Sequence, residues 1–176
     1  MKKIFLLIIV TFYSLSYSFA QNKKKLIKEG NKLYNDSSFN LAEMKYRKSL
    51  EKDQDYFSAS FNLADAVYKQ ERYQESSSFF EALKNNTKNN KELAIVNHNL
   101  GNSLFKENKL DQAIEAYKNS LRQNPNDEET RYNLAYAQKM KQKKDEQEEK
   151  QDEKKQDKQE EKQDEKKQDK QEEKQD

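Results

Sequence analysis

The feature that most constrains this chain is an internal repeat with a period close to 34 residues. A fixed period of 20 to 50 residues is typical of stacked supersecondary units, and small residues within it mark places where two helices approach closely. The three intervals are 34, 37 and 34 residues. We expect the extra three residues, 91–93, to lie in a turn. The small residues recur at four positions: Gly30, Ala64, Gly101 and Ala135.

Each repeat unit is predicted to be a pair of helices. In the third unit the apolar spacing predicts helices over residues 95–107 and 110–123, with Asp111 suited to the start of the second. Pro125 cannot continue a helix and biases Asn124 away from helical geometry, so the unit ends there. The predicted core residues are Leu33, Ala42, Tyr46, Ser49 and Leu50 in the first unit, Val67, Ser76, Phe80 and Leu83 in the second, and Leu100, Leu104, Ala113, Ala116, Tyr117, Ser120 and Leu121 in the third.

This pattern resembles the tetratricopeptide repeat (TPR) family, whose helix-turn-helix units of about 34 residues stack into a right-handed superhelix. The third unit matches best, through Leu100, Gly101, Tyr117 and Pro125. The resemblance implies an all-α fold, a TPR superhelix of about three helical hairpins plus a capping helix. The predicted boundaries are 23–56, 57–90 and 94–127 for the hairpins and 128–140 for the capping helix, with a charged low-complexity tail over 141–176.

The N-terminal segment has the properties of a signal peptide. Lys2 and Lys3 precede an uncharged, largely apolar stretch, and Ala20 ends a small-residue site of the kind that signal peptidase cleaves. We predict a signal peptide over 1–20, cleaved after Ala20, and therefore a periplasmic protein. An uncleaved anchor is the alternative, but the apolar stretch is shorter than the roughly 20 residues that a spanning helix needs.

The C-terminal tail has no apolar residue after Met140, and the block QDEKKQDKQEEK occurs twice from Gln151. Without apolar side chains to bury, packing does not offset the loss of chain entropy. In the repeated block, residues four apart carry like charges, which destabilises a helix. The tail is therefore predicted to be disordered or marginally helical.

The residue inventory argues against an enzyme. The chain has no Cys, one His and two Gly, which excludes a thiolate nucleophile, a two-histidine metal site and a glycine-rich phosphate loop. The net charge is +2 with both signs mixed, and no block is basic enough to indicate nucleic-acid binding. We predict a non-enzymatic protein with no cofactor, metal, nucleic acid or small-molecule substrate.

The TPR resemblance implies a groove, since the first helices of successive units line the concave face. Aromatic side chains supply contact area at little entropic cost, and amides both donate and accept hydrogen bonds, so this groove is suited to an extended polypeptide. A purely structural role for the same residues is the alternative. The predicted groove residues are Ile27, Asn31, Tyr34, Phe61, Asn62, Tyr68, His98, Asn99, Phe105, Tyr132 and Asn133.

One subtype of the groove is not expected here. Chaperone-binding TPRs clamp a terminal carboxylate with two amides and three cations, and Asn31 and Asn62 match the two amides. Ile27, Ile95 and Asn99 stand where the cations belong. Without cations a carboxylate lacks charge-assisted partners, so we do not predict a carboxylate clamp.

The whole chain also resembles the BatC-type TPR proteins of the Bat aerotolerance operon, through the segment 124–138 and the type of tail. This resemblance implies an exported adaptor in a cell-envelope complex, linked to oxidative-stress tolerance. Its implied partners are membrane proteins with von Willebrand A domains. The alternative hypothesis is an envelope structural protein that acts through its charged tail, with no specific groove ligand.

Overall fold

The computed structural model describes residues 22–172, in which seven α-helices and no strand are found. The predicted signal peptide lies outside the described residues. None of the described helices combines the length and the apolar character that a bilayer-spanning segment requires. The helices are α1 (22–35), α2 (Phe39–Leu50), α3 (Phe57–Lys69), α4 (Tyr73–Asn86), α5 (Asn90–Lys106), α6 (Leu110–Gln123) and α7 (Glu128–Glu172).

The turn inside each hairpin has the same backbone conformation in all three units. Ser37, Glu71 and Asn108 adopt left-handed φ values of 56°, 62° and 60°. In each unit the next residue donates its amide to a carbonyl five residues earlier, as Lys109 does to Leu104 at 3.0 Å. This arrangement satisfies carbonyls at the end of the first helix and reverses the chain.

The two helices of a hairpin approach most closely at the repeated small residues. A Cβ added to Gly30 would lie 2.5 Å from Cε1 of Tyr46, and one added to Gly101 would lie 2.5 Å from Cε1 of Tyr117. The expectation is wrong for Ala135, which is exposed. The reason is that α7 runs straight on and no second helix returns to cover this position.

The predicted seam residues form the core. Most of them are buried, while Leu33, Leu50 and Leu121 are half-buried. The buried serines of the seam donate to backbone carbonyls, as Ser120 does to Ala94 at 2.8 Å, which offsets the cost of burying a hydroxyl. The core consists of two clusters that meet in α3, one formed with α1 and α2 and one that runs through α4 to α6 and is completed by Ala137 of α7.

The stack is curved, as its contacts show. The backbones of α3 and α5, and those of α5 and α7, approach each other to within 8 Å between Cα atoms, whereas in this fully described stretch those of α2 and α4, or of α4 and α6, do not. Long side chains bridge the outer helices instead, such as Arg47 to Glu75 at 3.1 Å. A short amide pair, Asn62 to Asn31 at 2.9 Å, joins α3 to α1. Because the inner helices are closer together than the outer ones, α1, α3, α5 and α7 line the concave face.

The three extra residues of the second interval are helical, which corrects the expectation of a turn. Helix α5 begins at Asn90, before the predicted start at Ile95. The side chain of Asn89 accepts hydrogen bonds from the amides of Lys91 and Glu92 and caps the added turn. Three residues are close to one helical turn, so the face of the helix is preserved. The second helix of this unit, α6, has the predicted bounds.

Helix α7 crosses the predicted boundary at residue 140 without a break and continues to Glu172. Residues 141–172 are helical in the structure, and the expected marginal stability of this segment stays a prediction. Ion pairs of the favourable four-residue spacing occur just before the repeated block, between Lys141 and Asp145 at 3.6 Å and between Lys144 and Glu148 at 3.9 Å.

Candidate functional site

The concave face carries a polar pocket between α1 and α3, a cavity of about 250 Å³. Its centre is Asn31, whose Oδ1 accepts from the Tyr46 hydroxyl at 2.9 Å and from Nδ2 of Asn62 at 2.9 Å. These bonds fix three of the lining side chains before any ligand binds. The residues that line the polar pocket are Asn31, Tyr34, Asn35, Tyr46, Asn62 and Asp65.

Asp65 supplies the negative charge of the polar pocket. Burial and the neighbouring Asp65 carboxylate raise the pKa of the Tyr34 hydroxyl well above its usual range. Burial, followed by the charge of Asp65, raises the pKa of Tyr46 to about 12. The same carboxylate contributes to a raised pKa of Tyr68, after burial and Tyr73. The pocket therefore has a negative potential that disfavours further negative charge.

An aromatic shelf lies at the other end of the concave face, where α5 meets α7. The rings of Tyr132 and Tyr136 are stacked, 6.5 Å apart and 5° from parallel, and Phe105 lies 5.5 Å from Tyr136. Tyr132 is 71% exposed and Tyr136 46% exposed, so the rings are open to a ligand. Phe105 and Tyr132 were predicted from the repeat register.

Sequence reasoning missed three residues of the concave face that occupy one repeat position. Asp65, Asn102 and Tyr136 stand where the first unit has Asn31. The repeat intervals provide the signal, since they relate all three positions to that of Asn31, a predicted groove residue. Tyr136 also follows Tyr132 by one helical turn, which places both rings on one face of α7.

The predicted amides are engaged in holding the stack together. Nδ2 of Asn62 donates to Asn31, and Nδ2 of Asn133 donates to Oδ1 of Asn102 at 3.1 Å. Asn99 donates to the carbonyl of its own helix at Ile95, at 2.8 Å. Each of these amide nitrogens therefore uses one of its two N–H groups within the protein. The two bonds between units follow from the close spacing of the inner helices, which brings amides of successive units within reach, whereas the bond of Asn99 lies within α5.

Ile27, predicted to line the groove, is buried with 9% exposure in the N-terminal core cluster. Three aromatic residues that were also predicted to line the groove, Tyr34, Phe61 and Tyr68, are half-buried and pack within the stack. Tyr34 meets Phe39 edge-on at 5.2 Å, and Tyr68 meets Tyr73 at 5.3 Å. Each of these pairs bridges the two helices of one hairpin.

Phe61 also contributes to packing, since it stacks on Phe57 at 5.9 Å and meets Phe80 edge-on at 5.6 Å. Its ring is half-buried against the core cluster that continues into the third unit. Phe61 therefore presents one side to the concave face and the other to the core.

His98 connects α5 to α7. Its Nδ1 lies 2.6 Å from Oγ1 of Thr130, and that hydroxyl donates to Oδ2 of Asp127 at 2.8 Å. Since the threonine hydroxyl has one proton, His98 must donate from Nδ1. Burial opposes ionisation of Asp127, but hydrogen bonds from Thr130 and the charge of His98 keep the pKa of Asp127 below its usual value. His98 thus packs the capping helix in place.

The described residues bring together no three His, Cys, Asp or Glu side chains in the arrangement of metal ligands. Several carboxylates of the first two units are instead paired with cations, such as Glu29 with Lys45 at 2.6 Å. The concave face thus offers aromatic contact area, hydrogen-bonding groups and the charge of Asp65, which has no ion-pair partner among the described residues.

Comparisons with known proteins agree with this fold. A family model described as "Tetratricopeptide repeat" matches residues 27–90, and one described as "TPR repeat" matches 101–142. Among curated protein sequences, none matches the chain significantly. The chain therefore carries tetratricopeptide repeats, and its described residues form a TPR superhelix, as predicted. The finer resemblance to BatC-type proteins stays a prediction.

Solved structures with the same fold include the TPR2AB domain of yeast Sti1 in complex with pHSP90, with a TM-score of 0.65 and 25% identity over 72% of this chain. This chain spans half of that one. The first TPR of Spaghetti (RPAP3), bound to the HSP90 peptide SRMEEVD, has a TM-score of 0.61 and 21% identity, covering 68% of this chain and 93% of that one. MamA 41-end from Desulfovibrio magneticus RS-1 has a TM-score of 0.64 and 20% identity, covering 69% of this chain and 67% of that one.

Proposed function

We propose that this protein is a non-enzymatic adaptor that binds an extended segment of a partner protein on its concave face. The observation that carries the proposal is the aromatic shelf. Tyr132 and Tyr136 expose stacked rings on the concave face, where an apolar side chain of a ligand gains contact area at little entropic cost. The structural neighbours support it, since the Sti1 domain is in complex with pHSP90 and the RPAP3 repeat is bound to an HSP90 peptide.

The site-directed test is photo-cross-linking in cells. A benzophenone amino acid at position 132 is expected to join the protein to one defined segment of a partner, identified by mass spectrometry. The same probe at Met44, which is 53% exposed on the outer helix α2, is the control and is expected not to join that segment. An equal yield of that adduct from both positions, or no adduct from position 132, contradicts the proposal.

Variants distinguish partner binding at the concave face from binding elsewhere on the surface. Changing Tyr132 and Tyr136 to Ala is expected to remove partner binding without unfolding, because both rings are exposed. The matched control changes Leu41 and Met44, two exposed apolar residues of α2, to Ala. Partner binding that survives the first variant and fails in the second would place the interaction on the outer face.

We further propose that the adaptor is exported through a cleaved signal peptide over 1–20 and works in the periplasm. Its partners there would be membrane proteins with von Willebrand A domains, in an envelope complex linked to oxidative-stress tolerance. The support is the N-terminal sequence pattern and the resemblance of segment 124–138 and the tail. N-terminal sequencing of the protein from a periplasmic fraction tests this, and Gln21 is the expected first residue. A retained Met1 in the cytoplasmic fraction would contradict it.

A second candidate function is that of an envelope spacer that acts through its tail. The length of α7 favours it, since 45 residues extend about 68 Å at 1.5 Å per residue. Deleting residues 141–176 tests this hypothesis. Loss of function on deletion, with function retained when the aromatic shelf is removed, would favour the spacer over the adaptor.

A further inference from the structure

Asn31, Asp65 and Asn102 occupy the same position in successive repeats, and only the middle unit has a charged residue there. In the third unit, Asn102 accepts from the Tyr117 hydroxyl at 2.8 Å and from Asn133 at 3.1 Å, as Asn31 does in the first unit. The middle unit has Asp65 at this position, and Phe80 has no hydroxyl to donate to it. Asp65 therefore lacks the two donors that satisfy its neutral counterparts, and the donor beside it is the Tyr34 hydroxyl of α1, with which it is hydrogen-bonded.

Asp65 also lacks a cation. Three other carboxylates of the first hairpin and its following turn are paired: Glu29 with Lys45, Glu43 with two arginines and Asp53 with Lys23. In the part of the chain that the structure describes, no Lys, Arg or His lies within ion-pair distance of Asp65. Its negative charge is left facing a half-open cavity on the concave surface.

The rest of the polar pocket is suited to a cationic group. Asn62 donates its nitrogen to Asn31, so its amide oxygen is the group left to accept from a ligand. Asn35 supplies a second amide to the same cavity, whose volume of about 250 Å³ has room for the end of a long side chain. One carboxylate flanked by neutral acceptors offers charge-assisted hydrogen bonds to an ammonium or guanidinium.

We infer that the polar pocket binds a lysine or arginine side chain of the partner's extended segment, with Asp65 as its counter-ion. The inference rests on the proposed function and specifies its ligand. It implies the opposite charge preference to that of a carboxylate-binding TPR, because an acidic segment would place like charges together at Asp65. The arginine or lysine is expected to fix the register of the segment, while an apolar residue contacts the aromatic shelf.

A degenerate peptide library tests the inference on the full chain. The peptides are acetylated and amidated at their ends, and each carries one fixed residue, Lys, Arg or Glu, so that only this charge differs. Mass spectrometry measures what the immobilised protein retains. Peptides with Lys or Arg are expected to be enriched over those with Glu by about tenfold, the effect of one charge-assisted contact.

Variants of one side chain assign the preference to Asp65. Asp65→Asn keeps the shape and is expected to abolish the enrichment, and Asp65→Lys is expected to reverse it in favour of Glu. Asp55→Asn removes an exposed carboxylate in the turn before α3 and is expected to leave the enrichment unchanged. Circular dichroism of each variant establishes that the helices are intact.

The possible failures are distinct. Peptides retained through the aromatic shelf, but without a charge preference or with a preference that Asp65→Asn leaves intact, would overturn this inference and leave the adaptor function standing. Peptides not retained at all, or retained equally after Tyr132 and Tyr136 are changed to Ala, would overturn both.

Discussion

Gly101 and Tyr117 are matched across the third hairpin, since a Cβ on Gly101 would lie 2.5 Å from Cε1 of the tyrosine ring. The ring is held there because its hydroxyl donates to Asn102 at 2.8 Å. In the middle unit the corresponding residues are Ala64 and Phe80, both buried. A phenylalanine has no hydroxyl to fix its ring, so the alanine Cβ can be accommodated. The hairpins in which a hydrogen bond holds the ring thus have glycine opposite it, and the hairpin with a phenylalanine has alanine.

The first prediction concerns this pair. Gly101→Ala is expected to lower the free energy of unfolding by about 1–3 kcal/mol, because overpacking exceeds the gain in helix propensity. Adding Tyr117→Phe to this variant is expected to recover part of the loss. Urea denaturation measures both. The control is Ala135→Leu, which is expected to change stability by less than about 0.5 kcal/mol because that position is exposed.

A second prediction uses the left-handed turn of the middle hairpin. Glu71 is exposed and has a φ of 62°, a conformation that costs a residue with a side chain about 1–2 kcal/mol. Glu71→Gly removes that cost, but it also increases the conformational entropy of the unfolded chain, which lowers stability by about 0.4–1 kcal/mol. The net expectation is a stabilisation of about 0.5–1 kcal/mol, seen as a higher melting temperature. Glu71→Ala, which keeps the strain, is the control and is expected to show no such gain.

A third prediction concerns pH. Burial opposes ionisation of Glu43, but hydrogen bonds from Gln70, Arg47 and Arg72 keep the pKa of Glu43 below its usual value. A lowered folded-state pKa contributes stability that is complete above the unfolded value of about 4.3 and is lost as the pH falls through the folded value. Glu43→Gln is therefore expected to reduce stability near neutral pH by about 1–3 kcal/mol. Its stability should also fall less steeply with acidification below about pH 4.3.

The measurement is urea denaturation of the two proteins between about pH 7 and about pH 3. Because both retain Glu29 and Asp53, whose pKa values are also lowered by lysine partners, the wild-type slope does not vanish in the variant. The difference between the two slopes reports Glu43. Parallel curves would contradict the assignment.

A fourth prediction distinguishes the two parts of α7. Ending the chain after Met140 is expected to change the stability of the stack by less than about 1 kcal/mol, since the lost ion pair of Lys141 with Asp111 is exposed. Ending it after Asp127 is expected to cost more than about 3 kcal/mol, because Ala137 and Thr130 are completely buried against the third unit. Denaturation of both truncated proteins is the check. Equal losses would show that the charged extension takes part in stabilising the stack.

Much of the fold was predictable because helical packing repeats locally. A small residue at a fixed interval, an apolar seam of period near 3.6 and the break at Pro125 each act within a few residues, so the pattern reports the hairpins directly. For the same reason the bounds of α6 and the buried state of Tyr117 followed from the sequence. The start of α5 did not follow from the sequence. The residues around Asn89 favour a turn, but the Asn89 side chain caps the helix and allows it to begin at Asn90.

By itself, the sequence determined which side chains lie on the same face of each helix, and therefore that the protein is a stack of hairpins with a concave side. The tertiary structure alone decided which partner each of those side chains meets. Asn62 reaches Asn31 and Asn133 reaches Asn102 across about one repeat, while Asp65 meets the Tyr34 hydroxyl and, among the described residues, no cation. Such contacts depend on the distance between successive units and on their curvature. Helical periodicity determines the direction in which a side chain points, but it does not determine the distance or the curvature between units.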